Sequence, residues 1–151
     1  MLTLNFPVDI LEPTDVTPSL TAGFDRPPKL AFKGKTDYLL VYDKEEDIKE
    51  LTPRMDQIAK LKARGVIVTA KGNDVDFVSR FFAPQSGVDE DPVTGSAHTT
   101  LIPYWSQQLN KMELTARQLS SRGGYLKCEL VDDRVEISGQ AKLYLTGEIY
   151  V

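Results

Sequence analysis

Three carboxylates, Asp89, Glu90 and Asp91, stand directly ahead of Pro92-Val93-Thr94-Gly95-Ser96-Ala97 and of a stretch, Pro92 to Asn110, that holds no Asp, Glu, Lys or Arg. Acids in that place lie where a helix dipole favours negative charge. Gly95 lets the backbone turn tightly and approach a ligand, while the N–H groups of Gly95, Ser96 and Ala97 have no partner inside a helix and point outward. The combination is an anion cradle, able to hold a carboxylate or an enolate forming from one. The same residues also read as ordinary capping by Asp91 and Thr94.

His98 falls one turn into this helix, as a packed, hydrogen-bonded imidazole, a substrate-side donor or, least in keeping, a metal ligand. Cys128 sits on the apolar face of a strand and reads as an inert buried thiol. Trp105 is at core spacing. Arg122 with Gly123-Gly124 reads as a surface turn or as a cation aimed at an anion. Arg80 lies mid-strand, either pairing with the acids at 89–91 or exposed. Asp89-Glu90-Asp91 lacks the ligand spacing of a calcium loop.

Composition narrows the chemistry. The chain has 151 residues, one His and one Cys. That excludes an internal disulfide framework, Cys-rich zinc sites and multi-His zinc sites, so no metal is expected. A net charge of -4 and a pI of about 5.0 argue against a nucleic-acid or anionic-membrane binder. The uncharged stretch contains His98, Pro103, Gln107 and Gln108 and is too polar to span a bilayer. The N-terminus alternates apolar and polar residues without a basic region, unlike a signal peptide. A cytoplasmic location is the default, and one domain over 1–151 is expected.

The elements that must position the acids follow from periodicity. Leu2, Leu4 and Phe6 alternate with Thr3 and Asn5, predicting a half-buried strand. A loop over 7–18 leads to a short helix from Pro18 to Phe24. Strands follow over 30–32 and 38–42. Asp43 opens a charged helical stretch. Thr52-Pro53 reads as a helix start, with Leu51, Met55, Ile58 and Leu61 on one face and Gly65 as the stop. Val66 to Val68 and Val75 to Phe82 are strands joined by Gly72-Asn73-Asp74. Ala97, Leu101, Trp105 and Leu109 recur at intervals of four, so the uncharged helix is central and buried on most sides, with Pro103 removing one backbone bond. Strands over 114–119, 126–130, 135–137 and 143–145 close a meander. The sum is an α+β domain, strand-rich and mostly antiparallel.

Arg80-Phe81-Phe82-Ala83-Pro84, Gly87, Glu90-Asp91-Pro92-Val93-Thr94-Gly95-Ser96-Ala97-His98 and Pro103-Tyr104-Trp105 resemble the phenazine-biosynthesis PhzF-like family, within the diaminopimelate-epimerase-like fold superfamily. Ala116-Arg117-Gln118-Leu119-Ser120-Ser121-Arg122-Gly123-Gly124 and Arg134-Val135-Glu136-Ile137-Ser138-Gly139 extend the likeness. The resemblance implies two similar lobes, each a curved, mostly antiparallel barrel-like sheet around a central helix, here about 95–109, with a site between the lobes. It implies cofactor-free proton transfer beside an unsaturated acid. Asp91 then matches the acid that lines the cleft, a catalytic group, and Gly95 and Ser96 the donors to a substrate carboxylate; Ala97 and His98, which complete the motif, are expected to bind substrate with them. The match is to the family's C-terminal half. The half with the proton-shuttling acid and its partner His has no counterpart, so the chain alone is not expected to be a competent isomerase. Its expected partners are a small carboxylate-bearing molecule and either a complementary N-terminal lobe or a second copy, which would cover an apolar patch left open.

Overall fold

The computed structural model describes residues 1–149. In chain order the strands are β1 (Leu2–Pro7), β2 (Glu12–Thr14), β3 (Leu30–Lys33), β4 (Asp37–Val41), β5 (Gly65–Lys71), β6 (Phe77–Ala83), β7 (Val88–Glu90), β8 (Glu113–Gln118), β9 (Gly124–Val131) and β10 (Arg134–Gly139). The helices are α1 (Pro18–Ala22), α2 (Glu45–Glu50), α3 (Met55–Ile58) and α4 (Gly95–Leu109). All ten strands form one sheet in the order β1-β10-β9-β8-β6-β5-β4-β3-β2, with β7 added to β6. Neighbours run antiparallel except β4–β5 and β6–β8. The α+β expectation holds.

Each face of the sheet carries its own core. On one face α4 buries Ala97, Leu101, Ile102 and Trp105 against Leu39, Ile67, Phe77, Ala116, Leu126, Val135 and Ile137, which come from six strands. Most of the helix is enclosed, in keeping with its lack of charge, and its exposed positions, Ser96, Gln107 and Gln108, are polar but uncharged. On the other face α1, α2 and α3 pack Leu20, Ile48 and Ile58 over Leu40, Val66, Val68, Val78 and Phe82. Consecutive residues of β4, β5 and β6 serve opposite cores, as strand alternation requires.

Two features lock α4 in its seat. Pro103 has no N–H to give the Thr99 carbonyl, and the Asp9 backbone N–H takes that place at 3.1 Å. The Thr100 hydroxyl adds a bond to Asp9 Oδ2 at 3.1 Å. Further along, the Trp105 indole N–H donates to Thr69 Oγ1 at 2.9 Å, and its ring stacks parallel on Phe77.

Four expectations are corrected. β1 is a strand but exposed rather than half-buried, because it is the last strand beyond β10 and α4 covers Val135 and Ile137 but not the residues facing them. Residues 143–145 form no strand, since β10 already has β9 and β1 on its two edges. Thr52 does not start a helix: its N–H donates to Asp25 Oδ1 at 2.9 Å, and α3 begins at Met55. Gly65 is no stop but the first residue of β5, where any Cβ would come within 2.5 Å of the Phe81 ring. The short strands β2 and β7 carry no periodicity that their sequences reveal. Among the described residues, no helix is long and apolar enough to cross a membrane.

Candidate functional site

The motif residues are brought together by the return of the chain from β6. A short 3-10 turn, Pro84–Ser86, ends at Gly87 with φ 79°, in the left-handed region that suits glycine. The chain reverses there, and β7 lies antiparallel on β6. Arg80 of β6 meets Glu90 of β7 in a two-bond pair, Nε to Oε1 at 2.7 Å and Nη2 to Oε2 at 3.0 Å. Arg80 therefore pairs with the acids and is not an exposed strand charge. The Asp91 N–H donates to the Phe81 carbonyl at 3.1 Å, which fixes where its side chain leaves the backbone.

Gln118 holds the loop from the other side. Its Nε2 donates to the Asp91 carbonyl at 2.7 Å and to Thr94 Oγ1 at 3.0 Å, and its Oε1 accepts from the Thr94 N–H at 2.8 Å. The Ser120 hydroxyl donates to the Pro92 carbonyl at 2.7 Å. Gly124 packs on Val93 so closely that a Cβ there would collide with it. Gly124 therefore serves this loop by close contact with Val93.

Thr94 occupies the N-cap position of α4 but makes no capping bond. Its hydroxyl is turned to Asp91 instead, donating to Oδ2 at 2.5 Å. Because that hydroxyl also accepts from Gln118, its direction is determined, and Asp91 Oδ1 has no partner among the described residues. The capping account of Asp91 and Thr94 thus gives way to one in which the first N–H groups of α4 are left without a side-chain cap.

Asp91, Gly95 and Ser96 line one shallow cleft of about 250 Å³ with Arg64, Phe81 and Ser86. A Cβ on Gly95 would meet nothing within 4 Å, so the backbone there is open to the cleft. Arg64 donates to Ser96 Oγ at 2.9 Å and pairs with Asp37, whose hydrogen bond holds the guanidinium firmly cationic. Nothing local to the motif signals Arg64, Asp37 or Gln118; strand pairing alone brings them in.

The other two motif residues turn away. The Ala97 side chain is in the core beneath the sheet, so only its backbone N–H is left to serve a ligand. His98 is fully buried; its Nδ1–H donates to the Thr94 carbonyl at 2.7 Å, and Nε2 has no partner among the described residues. Burial pushes its pKa below the usual imidazole range despite that bond. The structure places it behind the loop, not on the cleft. Cys128 is likewise buried, and desolvation raises its pKa to about 12. Among the described residues, no three His, Cys, Asp or Glu are arranged to hold a metal ion.

The uncharged helix α4 packs on one face of the sheet, and its N-terminus, without a side-chain cap, lies beside the carboxylate of Asp91 in one cleft of this α+β domain. The chain belongs to the PhzC/PhzF family of phenazine biosynthesis-like proteins, whose model matches residues 14–147. It is 51% identical over 149 residues to an uncharacterized isomerase of Pseudomonas aeruginosa, and 44% identical over 149 residues to one of Halalkalibacterium halodurans. Those matches take in 98% and 97% of this chain but 57% and 56% of the relatives. A crystal structure of a PhzF family protein from Enterococcus faecalis superposes with a TM-score of 0.90 at 43% identity, over 99% of this chain and 57% of that one. The chain thus spans little more than half the length of the curated relatives it matches.

Proposed function

We propose that this chain supplies one wall of an isomerase active site that moves a proton on a small carboxylate-bearing substrate without a cofactor. In this reading it corresponds to the C-terminal lobe of a two-lobe protein, and a complementary lobe brings the opposing acid and its His. The observation that carries it is the meeting of Asp91 and the uncapped α4 N-terminus in one cleft. The N–H groups of Gly95 and Ser96 with the Ser96 hydroxyl bind the substrate carboxylate, where the helix dipole favours it. As the neighbouring carbon loses its proton, negative charge spreads onto those carboxylate oxygens, and fixed donors stabilise it. Asp91 Oδ1, free of partners among the described residues, relays or accepts a proton at the cleft. With one wall the cleft stays wet, which weakens each of these effects. The isomerase names of the relatives support the reaction class.

The test is to mix the chain with a separately produced first lobe and follow deuterium uptake from D2O into small unsaturated and α-amino acids by NMR. Exchange is expected from the pair and from neither part alone. Asp91→Asn is expected to slow it by about 10²–10⁴-fold, the usual worth of a positioned acid or base. A pair that exchanges no substrate proton sinks the reading, and an unchanged rate in the variant removes Asp91 from it.

A second reading is favoured by the exposed apolar residues of β1: Leu2 and Leu4 are 66% and 56% exposed. In it two copies pair about a two-fold axis, covering this strand and holding a small anion without turnover.

A further inference from the structure

The rim of the cleft facing Ser96 is made by a side chain from outside the motif. Arg64 immediately precedes β5 and Asp37 opens β4; the parallel register sets Asp37 beside Gly65 and so brings the two side chains together. Asp37 is 3% exposed, and both its oxygens accept from one guanidinium, Oδ1 from Nε at 3.0 Å and Oδ2 from Nη2. The Thr36 hydroxyl also donates to Oδ2, at 3.1 Å. The flat of the guanidinium rests over Phe81, 5.2 Å from the ring centroid. A planar fork held along one edge has its remaining nitrogen aimed in a set direction. That nitrogen, Nη1, donates to Ser96 Oγ at 2.9 Å.

The chemistry of the hydroxyl then follows. A serine oxygen that accepts from a guanidinium must send its own proton elsewhere. Ser96 is exposed at the cleft, and its hydroxyl has no acceptor among the described residues. The geometry points to Arg64 as a positioning residue: through its bond to Ser96 it fixes that hydroxyl as a donor to a carboxylate oxygen in the cleft, and Asp37 holds the guanidinium in place. This rests on the α4 N-terminus being a carboxylate site and adds what sets its polarity. A direct ionic grip by Arg64 is the weaker account, because Asp37 already neutralises the charge and takes two of the fork's directions. A pair that merely ties β4 to β5 would leave Ser96 indifferent to it.

The probe is fumarate, titrated into the full chain while the amide NMR signals of Gly95, Ser96 and Ala97 are followed. The unaltered chain is expected to show saturable shifts. Ser96→Ala is expected to weaken binding about tenfold, the scale of one hydrogen bond to a charged group. Arg64→Lys keeps a cation beside Asp37 but lacks the fork, and it is expected to cost the same factor. The double variant is then no weaker than either single one, as two residues acting through one hydroxyl require. Effects that multiply in the double variant, or unchanged binding by Arg64→Lys, overturn the inference and leave the carboxylate site standing. No shift in the unaltered chain overturns both. If Arg64→Lys does not fold, Arg64→Gln with Asp37→Asn takes its place in the same cycle, with the same outcomes, since it leaves no buried charge unpaired.

Discussion

His98 shows how far one residue's surroundings decide its role. It carries the motif's imidazole, yet it spends its only N–H on the Thr94 carbonyl and lies fully buried. Its pKa is lowered from 6.5 because burial disfavours the charged ring. The unfolded chain therefore binds a proton below about pH 6.5 that the folded chain refuses, so stability is full above that pH and falls as the solution is acidified. The expected slope is up to about 1.4 kcal/mol per pH unit between roughly pH 6.5 and the folded pKa. As the chain has one His, urea midpoints at about pH 7, 6 and 5 isolate this effect before the carboxylates titrate. His98→Asn keeps a donor near Nδ1 and is expected to flatten that slope; an equal slope in the variant would assign it elsewhere. At this scale the sequence was a partial guide. Asp91, Gly95 and Ser96 are neighbours in the chain, and their helix-entrance spacing is visible in the letters. Arg64 and Asp37 reach the same place only through strand pairing, 27 and 54 residues from Asp91 in the chain, and no local pattern marks them, while Gln118 lies in a segment that extends the family likeness but gives no sign of its contact with the loop.

The elements were legible where periodicity is strong and opaque where pairing decides. The bounds of α4 follow from the absence of charge and the four-residue recurrence, and β4, β5, β9 and β10 from apolar runs or alternation. Whether a strand-like segment becomes a strand depends on pairing, not on alternation alone. Residues 143–145 alternate as well as β10 does but pair with no strand. Pairing also creates contacts that no single strand foretells. Glu129 of β9 lies directly opposite Glu113 of β8 and directly opposite Glu136 of β10, so three carboxylates form a row across adjacent strands. Asn5 donates a side-chain hydrogen bond to Glu136 at 3.4 Å. Like charges directly opposite weaken a sheet by about 0.2–1 kcal/mol per pair. Glu129→Lys converts two repulsive pairs into two attractive ones. It is expected to raise unfolding stability by about 1 kcal/mol at low salt and less at high salt. Thermal melts at two ionic strengths check this, and a variant no more stable than the parent at low salt refutes the row as a source of strain.

At the scale of the whole molecule, the face that α4 covers does not end where α4 does. Leu2, Leu4 and Phe6 stand opposite Gly139, Ile137 and Val135, so they continue the apolar face beneath the helix but stay 66%, 56% and 36% exposed. Among the described residues the outer edge of β1 is also unpaired. An exposed apolar strand with a free edge is a template for another chain. Covering the three side chains completely would contribute at most roughly 5–9 kcal/mol. Association itself costs roughly 4–15 kcal/mol, so the strand face alone supports weak pairing and needs edge hydrogen bonds or a larger surface to do better. The proposed self-pairing therefore predicts reversible association in the micromolar range, not a tight dimer. Sedimentation velocity across that range should show the mass rising with concentration. Replacing Leu2, Leu4 and Phe6 together by Thr should return it to a monomer with the same circular dichroism, because β-branched polar residues keep the strand while removing the apolar face. Adding the complementary lobe should have the same dissociating effect if both compete for β1. A chain that stays monomeric throughout rules out self-pairing and leaves that lobe as the proposed cover of β1.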